Sequence, residues 1–475
     1  MRLLYLFVLL LAFIPRTMAE DLPDLGEVSQ NAISPQAERR IGESIMRNIR
    51  SDRNYYDDAE LTEYLNNLGY NLVSHSPDNR RDFEFFVIKD NTMNAFALPG
   101  GYIGVHTGLI LSAQSESELA GVLSHEIAHI TQRHLARLIA GQQQTTIPTI
   151  AALAIAILAS RSNPQVASAA IATAQASSIQ TQLDFTREHE READRIGFQI
   201  LQQSGFDPRA MASFFERLQK FNRVYENNAP EYLRTHPLTT ARVADMQNRA
   251  ENSPYRQVPD SIEFQLMRAK LRALQGRPEQ AVQFFEDSLQ DKKFSSEIAS
   301  HYGLAYALMR AKNYARAEQE LSLLKKMTPA NANIEFLSAQ IKVAANQQNA
   351  ALDQYRTAVK RFPSHRALLY GYAETLLKAQ RADEALHLIK DQLQFYPSDA
   401  RLYDLQAEAY AAQGKTLLQH QSLAEAYFRL GNITAAIEQL QIALKGGDGD
   451  FYQLSIAESR LRELRALDAE ARKRQ

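Results

Sequence analysis

The chain has 475 residues, with 53 lysines and arginines against 55 aspartates and glutamates, which gives a formal net charge of −2. This length predicts two to four domains, and a balanced charge without a long basic run argues against nucleic acid as a partner. The absence of cysteine excludes disulfides, thiolate metal ligands, a cysteine nucleophile and a lipidated N-terminal cysteine.

The N-terminus has the pattern of a secretory signal peptide. Arg2 supplies a positive charge, and residues 3–14 form an apolar run that is shorter than the ~20 residues of a membrane-spanning helix. Small residues around Ala19 predict cleavage there, so that the mature chain starts at Glu20; the alternative is an uncleaved anchor. Since a second long apolar span is lacking, we expect a soluble protein of the bacterial periplasm.

Residues 20–253 form the candidate catalytic domain. Ser34 and Pro35 are typical of a helix start, as the N-cap and the first helical residue. The elements predicted after them are a helix over 57–73, a strand over 83–88, and a hairpin of 94–98 and 102–105 around Pro99-Gly100-Gly101. This order indicates helices combined with a small sheet.

A strong amphipathic helix is predicted next. Ser115 and Glu118 have the spacing of a capping box, which marks a helix start. Apolar residues then recur along one helical face; they are Leu119, Val122, Leu123, Ile127, Ile130, Leu135 and Leu138.

Within this stripe, residues 125–129 have the sequence His-Glu-Ile-Ala-His. Because a helix turns about 100° per residue, His125 and His129 share a face, and their imidazoles can bind one Zn²⁺ per chain. Glu126 can then reach a metal-bound water as general base for peptide hydrolysis. The alternative is a surface helix that carries these residues by chance.

Two further segments of the first block are apolar. Residues 150–159 form an uninterrupted apolar run, and residues 166–176 are rich in alanine. As a helix, the first run covers about 15 Å, which is half the ~30 Å of a bilayer core. We expect a buried helical hairpin near the active site; the alternative is peripheral contact with a membrane surface.

After a polar linker at 254–260, the sequence of 261–475 repeats with a period of 34 residues. The period is shared by three series: Pro329, Pro363 and Pro397; Ala305, Ala339, Ala373 and Ala407; Ala317, Ala351 and Ala385. Alanines let paired helices approach closely, and prolines end helices because they lack an N–H. The pattern resembles the tetratricopeptide repeat rather than a nonspecific helical bundle. We expect four units over 262–414 and capping helices near 415–429, 433–445 and 451–470.

The two histidines leave a zinc site one protein ligand short. A histidine six residues after His129 is excluded, because Leu135 stands there and His134 is one residue out of place. A distant carboxylate is the other source, and residues 186–194 are Thr-Arg-Glu-His-Glu-Arg-Glu-Ala-Asp. The alternative for this segment is a solvated helix start. Spacing alone does not choose among its carboxylates, which are Glu188, Glu190, Glu192 and Asp194.

Together, these two motifs resemble the zinc peptidases related to the prenyl-protein (CAAX) protease and the heat-shock membrane protease. The third-ligand motif of that family is Ser/Thr-Arg-x-x-Glu-x-x-Ala-Asp. The resemblance implies that Glu190 is the third ligand and that Asp194 binds the far ring nitrogen of a ligand histidine. It also implies an α+β peptidase domain of the zincin (gluzincin) type, mostly helical with a small sheet, followed by the all-α repeat array.

The signal peptide, Thr235-His236-Pro237 and the repeats narrow the resemblance to periplasmic members that act in outer-membrane β-barrel assembly. The implied partners are unfolded or misassembled outer-membrane proteins, which the enzyme degrades, and the β-barrel assembly machinery, bound through the array. A second hypothesis is a chaperone or adaptor in which the repeats do most of the work. A third, an integral membrane protease, conflicts with the short apolar run.

His236 precedes a proline, and the sequence alone favours a turn residue there. The resemblance implies that its loop lies near the zinc. The imidazole then either occupies the open coordination position and keeps the enzyme latent, or stabilises the oxyanion of the reaction. We favour the regulatory contact, with Arg242 orienting the loop.

The strand that contains Asn94, Ala95 and Phe96 is the candidate substrate site. Zinc peptidases commonly bind an extended peptide as an added strand at a sheet edge, through backbone hydrogen bonds. The alternative is an ordinary core hairpin.

Overall fold

The computed structural model describes residues 33–78, 82–140, 187–224 and 231–473. Within these ranges, every helix is too short or too polar to cross a lipid bilayer. The predicted signal peptide and the apolar segments at 150–159 and 166–176 lie outside the described residues.

The first block combines helices with one small sheet, as predicted. In chain order its described elements are α1 (Pro35–Arg50), α2 (Ala59–Ser74), β1 (Glu84–Ile88), β2 (Ala95–Leu98), β3 (Tyr102–His106), α3 (Thr107–Ser112), α4 (Glu116–Thr131), α5 (His134–Ala140), α6 (Arg187–Gln203), α7 (Arg209–Val224), α8 (Glu231–Thr235) and α9 (Thr240–Glu251). Ser34 caps α1 by accepting a hydrogen bond from the Ala37 amide, and Ser115 caps α4 in the same way through the Glu118 amide. Glu118 itself accepts from the Gln114 amide, so the capping box is only half formed.

The three strands form a sheet with the order β1-β3-β2. β2 and β3 are the predicted antiparallel hairpin, and β1 pairs with β3 in parallel. The hairpin turn needs glycine, since Gly100 and Gly101 have φ of +79° and +91°. β2 is therefore an edge strand, paired on one side with β3.

The central helix is shorter than the apolar stripe through Leu138 predicts. α4 ends at Thr131, and Arg133 adopts a left-handed conformation with φ of +53°. The buried guanidinium of Arg133 stabilises this turn, because it donates to Glu38 Oε1 at 3.0 Å and to the Ile33 carbonyl at 2.5 Å. The chain then changes direction and begins α5 at His134.

The second block is a stack of helical hairpins. Its helices are α10 (Ile262–Leu274), α11 (Pro278–Gln290), α12 (Glu297–Arg310), α13 (Tyr314–Met327), α14 (Ala332–Ala344), α15 (Gln348–Arg361), α16 (Arg366–Lys378), α17 (Ala382–Phe395), α18 (Ala400–Ala412), α19 (Thr416–Arg429), α20 (Ile433–Ala443) and α21 (Phe451–Lys473). The alanines that share the 34-residue period are buried at helix contacts, as predicted. The expected capping helix α19 packs to the same extent against α18 and against α20.

A buried ionic cluster joins the array to the peptidase block. Lys270 on α10 is 2% exposed and donates to Asp58 at 2.7 Å and to Glu60 at 2.5 Å, both at the start of α2. An unpaired charge in such a place would be strongly destabilising, so each partner requires the other. The first helix of the array is thereby held in place against α2.

The array also contacts the helix that carries the metal-binding motif. The Glu116 amide at the start of α4 donates to Asp260, whose neighbour Ser261 donates to the Glu116 carboxylate at 2.7 Å. Asp260 thus accepts a hydrogen bond from a free amide at the start of α4, and Glu116 accepts one from the amide of Ser261 at the start of α10. At its far end the array reaches α1, where Arg47 donates to the Gly431 carbonyl. The array therefore curves around the peptidase block.

Candidate metal centre

Two helices and one loop supply the buried polar groups of the site. α4 presents His125 and His129 on one face, and the first turns of α6 supply Glu190 and Asp194. His236 directly follows α8. All five side chains are at most 2% exposed, which is unusual for such polar residues and indicates a functional site.

A glycine sets the separation between the two helices. A Cβ atom on Gly197 of α6 would lie 3.0 Å from the backbone nitrogen and the Cα of His125. A larger residue would push α6 away from α4. Gly197 therefore permits the approach that brings Glu190 to the histidines.

Four donor atoms surround one point. His125 Nε2 lies 3.0 Å from His129 Nε2, and each lies 3.5 Å from an oxygen of Glu190. His236 Nδ1 lies 3.3 Å from His125 Nε2 and 3.0 Å from Glu190 Oε1. Ligand bonds of about 2.05 Å in a tetrahedron place the ligand atoms roughly 3.3 Å apart. The spacing therefore fits a four-coordinate metal ion.

The neighbours of the two Nδ1 atoms support the same conclusion. His125 Nδ1 lies 3.1 Å from Asp194 Oδ1, and His129 Nδ1 lies 2.9 Å from His134 Nδ1. Protons on both Nδ1 atoms leave lone pairs on the two Nε2 atoms, which face each other and a carboxylate. This orientation of the two lone pairs beside a carboxylate is the one that a divalent metal ion requires of its ligands.

Arg242 holds the carboxylates of α6. Its guanidinium donates to Asp194 at 2.6 and 2.7 Å and lies 2.7 Å from Glu190 Oε2. It also donates to the carbonyl of Pro237 at 2.8 Å. One arginine thus links Asp194, Glu190 and the loop of His236, which agrees with the predicted orientation of that loop by Arg242.

Burial and neighbouring charges set the ionisation of the site. Burial opposes the charge on Glu190, but His236 and His125 hold the pKa of this carboxyl well below its usual value. Burial lowers the pKa of His129 well below its ordinary range. For His125, burial is outweighed by Asp194 and Glu190, which raise the pKa to about 9. Metal binding at His125 therefore releases a proton.

Glu126 lies beside the donor cluster and near the edge strand. Its carboxylate is fully buried, and His236 Nε2 lies 3.4 Å from its Oε1. Burial raises the pKa of Glu126, while His236, His125 and the backbone amide of Ala97 on β2 favour the ionised form. The Tyr232 hydroxyl is buried close by without a hydrogen-bond partner among the described residues, and its ring centroid lies 4.8 Å from that of His236.

The structure places the other predicted residues as follows. Of the four carboxylates that spacing left open, it brings Glu190 to the histidines and Asp194 behind His125, whereas Glu188 is exposed. Glu192 instead contacts His134 and Arg137. Burial lowers the pKa of His134 to about 4, although Glu192 opposes the shift. Sequence reasoning missed these contacts, because nothing in the spacing predicts the turn at Arg133.

Comparison with known proteins agrees with this geometry. Residues 58–250 match the model of Peptidase family M48, and residues 266–332 and 342–409 match models of the tetratricopeptide repeat. The beta-barrel assembly-enhancing protease of Escherichia coli (strain K12) is 33% identical over 451 residues, which cover 94% of this chain and 92% of the relative. The chain belongs to this family of M48 peptidases.

Further relatives cover different shares of the chain. A putative beta-barrel assembly-enhancing protease of Vibrio cholerae is 35% identical over 400 residues, covering 83% of this chain and 82% of its own. The mitochondrial metalloendopeptidase OMA1 of Schizosaccharomyces pombe is 29% identical over 219 residues, covering 45% of this chain and 61% of its own. The predicted fold class and metallopeptidase class of this M48 peptidase are thus confirmed.

The helix contact at Gly197 generates a prediction. Gly197→Ala should weaken metal binding by about tenfold or more, because the added Cβ meets the His125 backbone at 3.0 Å and displaces Glu190. Gly121→Ala is the matched control, since a Cβ there lies 3.5 Å from its nearest neighbour, Met211. Competition with a chromophoric chelator measures both affinities. Equal metal affinity in the two variants would contradict the packing argument.

Proposed function

We propose that this M48 peptidase is a zinc endopeptidase of the periplasm that acts on outer-membrane β-barrel proteins and degrades misassembled ones. The observation that carries the hydrolytic part is the buried group of His125, His129, Glu190 and His236, whose ligand atoms all lie within 4.8 Å of one another. The client is carried over from the relatives, which are named for enhancing β-barrel assembly, and the compartment rests on the predicted signal peptide.

Zinc is the metal that this donor set favours. Two imidazole nitrogens and one carboxylate oxygen in tetrahedral spacing match catalytic zinc sites, whereas magnesium and calcium prefer six or more oxygens. His125, His129 and Glu190 are the proposed ligands of one Zn²⁺. Asp194 is proposed to orient His125 through Nδ1, with Arg242 holding Asp194 in turn.

The chain supplies the proton transfers of the reaction. Bound zinc would polarise the substrate carbonyl and lower the pKa of a coordinated water towards about 7. Asp194 borders the donor cluster at His125 but is held by Arg242, whereas Glu126 borders it at His236, whose Nε2 lies 3.4 Å from Glu126 Oε1. Glu126 is placed to accept a proton from the attacking water and to pass it to the leaving amine.

The edge strand β2 is the proposed substrate platform. The His106 amide donates to the Asn94 carbonyl, and Phe96 pairs with Gly104 in the same register. Because hydrogen-bonded pairs alternate along an antiparallel ladder, Ala95 and Ala97 direct their amides and carbonyls to the free edge. A peptide added there would run past Glu126, with Asn94, Ala95 and Phe96 forming the predicted strand.

His236 is the proposed latency device. The proposal is supported by its Nδ1, which lies 3.3 Å from His125 Nε2 and 3.0 Å from Glu190 Oε1, so that it would take the coordination position of a substrate or water. The Pro237 carbonyl is held by Arg242, so the loop and the ligand carboxylates are fastened to one side chain. Withdrawal of the loop would open the site.

The array is proposed to bind clients and the β-barrel assembly machinery. A groove of about 1030 Å³ lies between α2 and the inner helices of the array, and aromatic residues such as Tyr70, Phe336 and Tyr370 line it together with charged ones. This groove favours a second, non-proteolytic function as a chaperone or adaptor. The two roles separate in a Glu126→Gln protein, which supports β-barrel assembly only if the array acts without proteolysis.

The boundaries of the functional parts are proposed from the sequence. They are a signal peptide over 1–19 that is cleaved near Ala19, a peptidase domain over 20–253, a linker over 254–260, and the array over 261–475. N-terminal sequencing of the exported protein tests the first boundary, because finding Met1 would refute cleavage.

The general-base role of Glu126 is tested by Glu126→Gln in purified residues 20–475. We expect cleavage of a loosely folded protein to slow by about 10²–10⁴-fold, because the variant cannot accept the water proton, while zinc stays near one per chain. Glu188→Gln is the control, since this carboxylate is exposed on α6. Wild-type turnover in Glu126→Gln would contradict the role.

The latency hypothesis predicts a gain of activity. His236→Ala should raise proteolysis by roughly tenfold or more, because the open position is then accessible in every molecule rather than in a minor state. The experiment measures cleavage at saturating zinc together with zinc affinity, and uses the exposed His387→Ala as control. Reduced cleavage would favour oxyanion stabilisation instead, and no change in cleavage or affinity would refute both roles.

A further inference from the structure

His134 is a buried histidine that the proposed mechanism leaves without a task. It is fully buried at the start of α5, immediately after the left-handed turn at Arg133. Its spacing from His129 excludes it as the usual third ligand. The turn instead brings its ring behind His129, with the ring centroids 4.9 Å apart.

The contact between the two rings fixes the positions of their protons. His134 Nδ1 lies 2.9 Å from His129 Nδ1, and two nitrogens at this distance share one proton between them. His129 turns Nε2 towards His125 and Glu190, so a metal ion bound at Nε2 leaves the proton of His129 on Nδ1. His134 Nδ1 is then the acceptor of that proton.

The other side of His134 is consistent with this direction. With Nδ1 accepting, the proton of His134 sits on Nε2, which lies 3.1 Å from Glu192 Oε2. Arg137 donates to the same oxygen at 2.7 Å. The His189 ring stacks on His134 at 4.5 Å with an interplanar angle of 16°, which restricts its rotation. Each hydrogen bond therefore points from the ligand towards Glu192.

We propose that His134 is a positioning residue for the metal ligand His129, acting through its Nδ1 and held by Glu192. This inference rests on the proposed zinc site. The two ligand histidines thus have different supports, because His125 faces the carboxylate of Asp194 and His129 faces a neutral imidazole. A neutral imidazole is a weaker hydrogen-bond acceptor than a carboxylate. His129 is therefore the less basic of the two ligand histidines.

Two substitutions test the roles of the two ring nitrogens of His134 one at a time. Asn places its amide oxygen near the position of Nδ1, so His134→Asn keeps the acceptor for His129 and loses the bond to Glu192. Gln reaches the position of Nε2, so His134→Gln keeps the contact with Glu192 and loses the acceptor. We expect zinc affinity to fall by about 10–100-fold in His134→Gln and by only a few-fold in His134→Asn.

The experiment measures zinc affinity by chelator competition in the full mature chain, together with thermal unfolding of the metal-free proteins. Equal zinc affinity in wild type and both variants overturns the positioning role, and so does an equal loss in both, which would indicate packing alone. If His134→Gln unfolds without metal, ¹⁵N-histidine NMR of the zinc-loaded wild type decides: a proton on His134 Nε2 supports the proposal, and one on Nδ1 overturns it. Absence of zinc from the wild type would instead refute the proposed function.

Discussion

The close contact between α4 and α6 is the constraint on which the site depends. Helices normally keep their backbones 8–10 Å apart between axes, with side chains between them. At Gly197 no side chain intervenes, and the backbone of His125 occupies the space. Glu190, about two turns earlier on α6, is thereby brought to two histidines on α4. The surrounding core fixes the positions of α4 and α6, so their side chains are held more precisely than side chains on a loop.

Buried charge in this protein is arranged in connected networks. Arg242 compensates Asp194 and Glu190 and fastens the loop of His236, while Lys270 compensates Asp58 and Glu60 between the two blocks. The start of α4 is capped by Asp260, and Glu116 caps the first helix of the array in return, so the helix of His125 and His129 is joined directly to the repeats.

Local patterns predicted most of the architecture, and tertiary packing determined the rest. Short-range sequence patterns predict the caps at Ser34 and Ser115, the hairpin at Gly100 and the repeat period. They do not predict the end of α4, because Arg133 turns left-handed only through its buried bonds to α1. The choice of Glu190 also depends on tertiary packing. The four carboxylates of residues 186–194 are equivalent by spacing, and only the close packing of α6 against α4 distinguishes them. Family resemblance supplied that choice before the structure did.

X-ray absorption at the zinc edge of the purified mature chain tests the central claim most directly. The account predicts about one zinc per chain with four nitrogen or oxygen ligands at about 2.0–2.1 Å, and a clear multiple-scattering contribution from imidazole. Replacement of Glu190 by Gln should lengthen or remove one short oxygen contribution and leave the imidazole signal. A zinc ion with six oxygen ligands, or a mature chain that retains no zinc after dialysis, would contradict the proposed site.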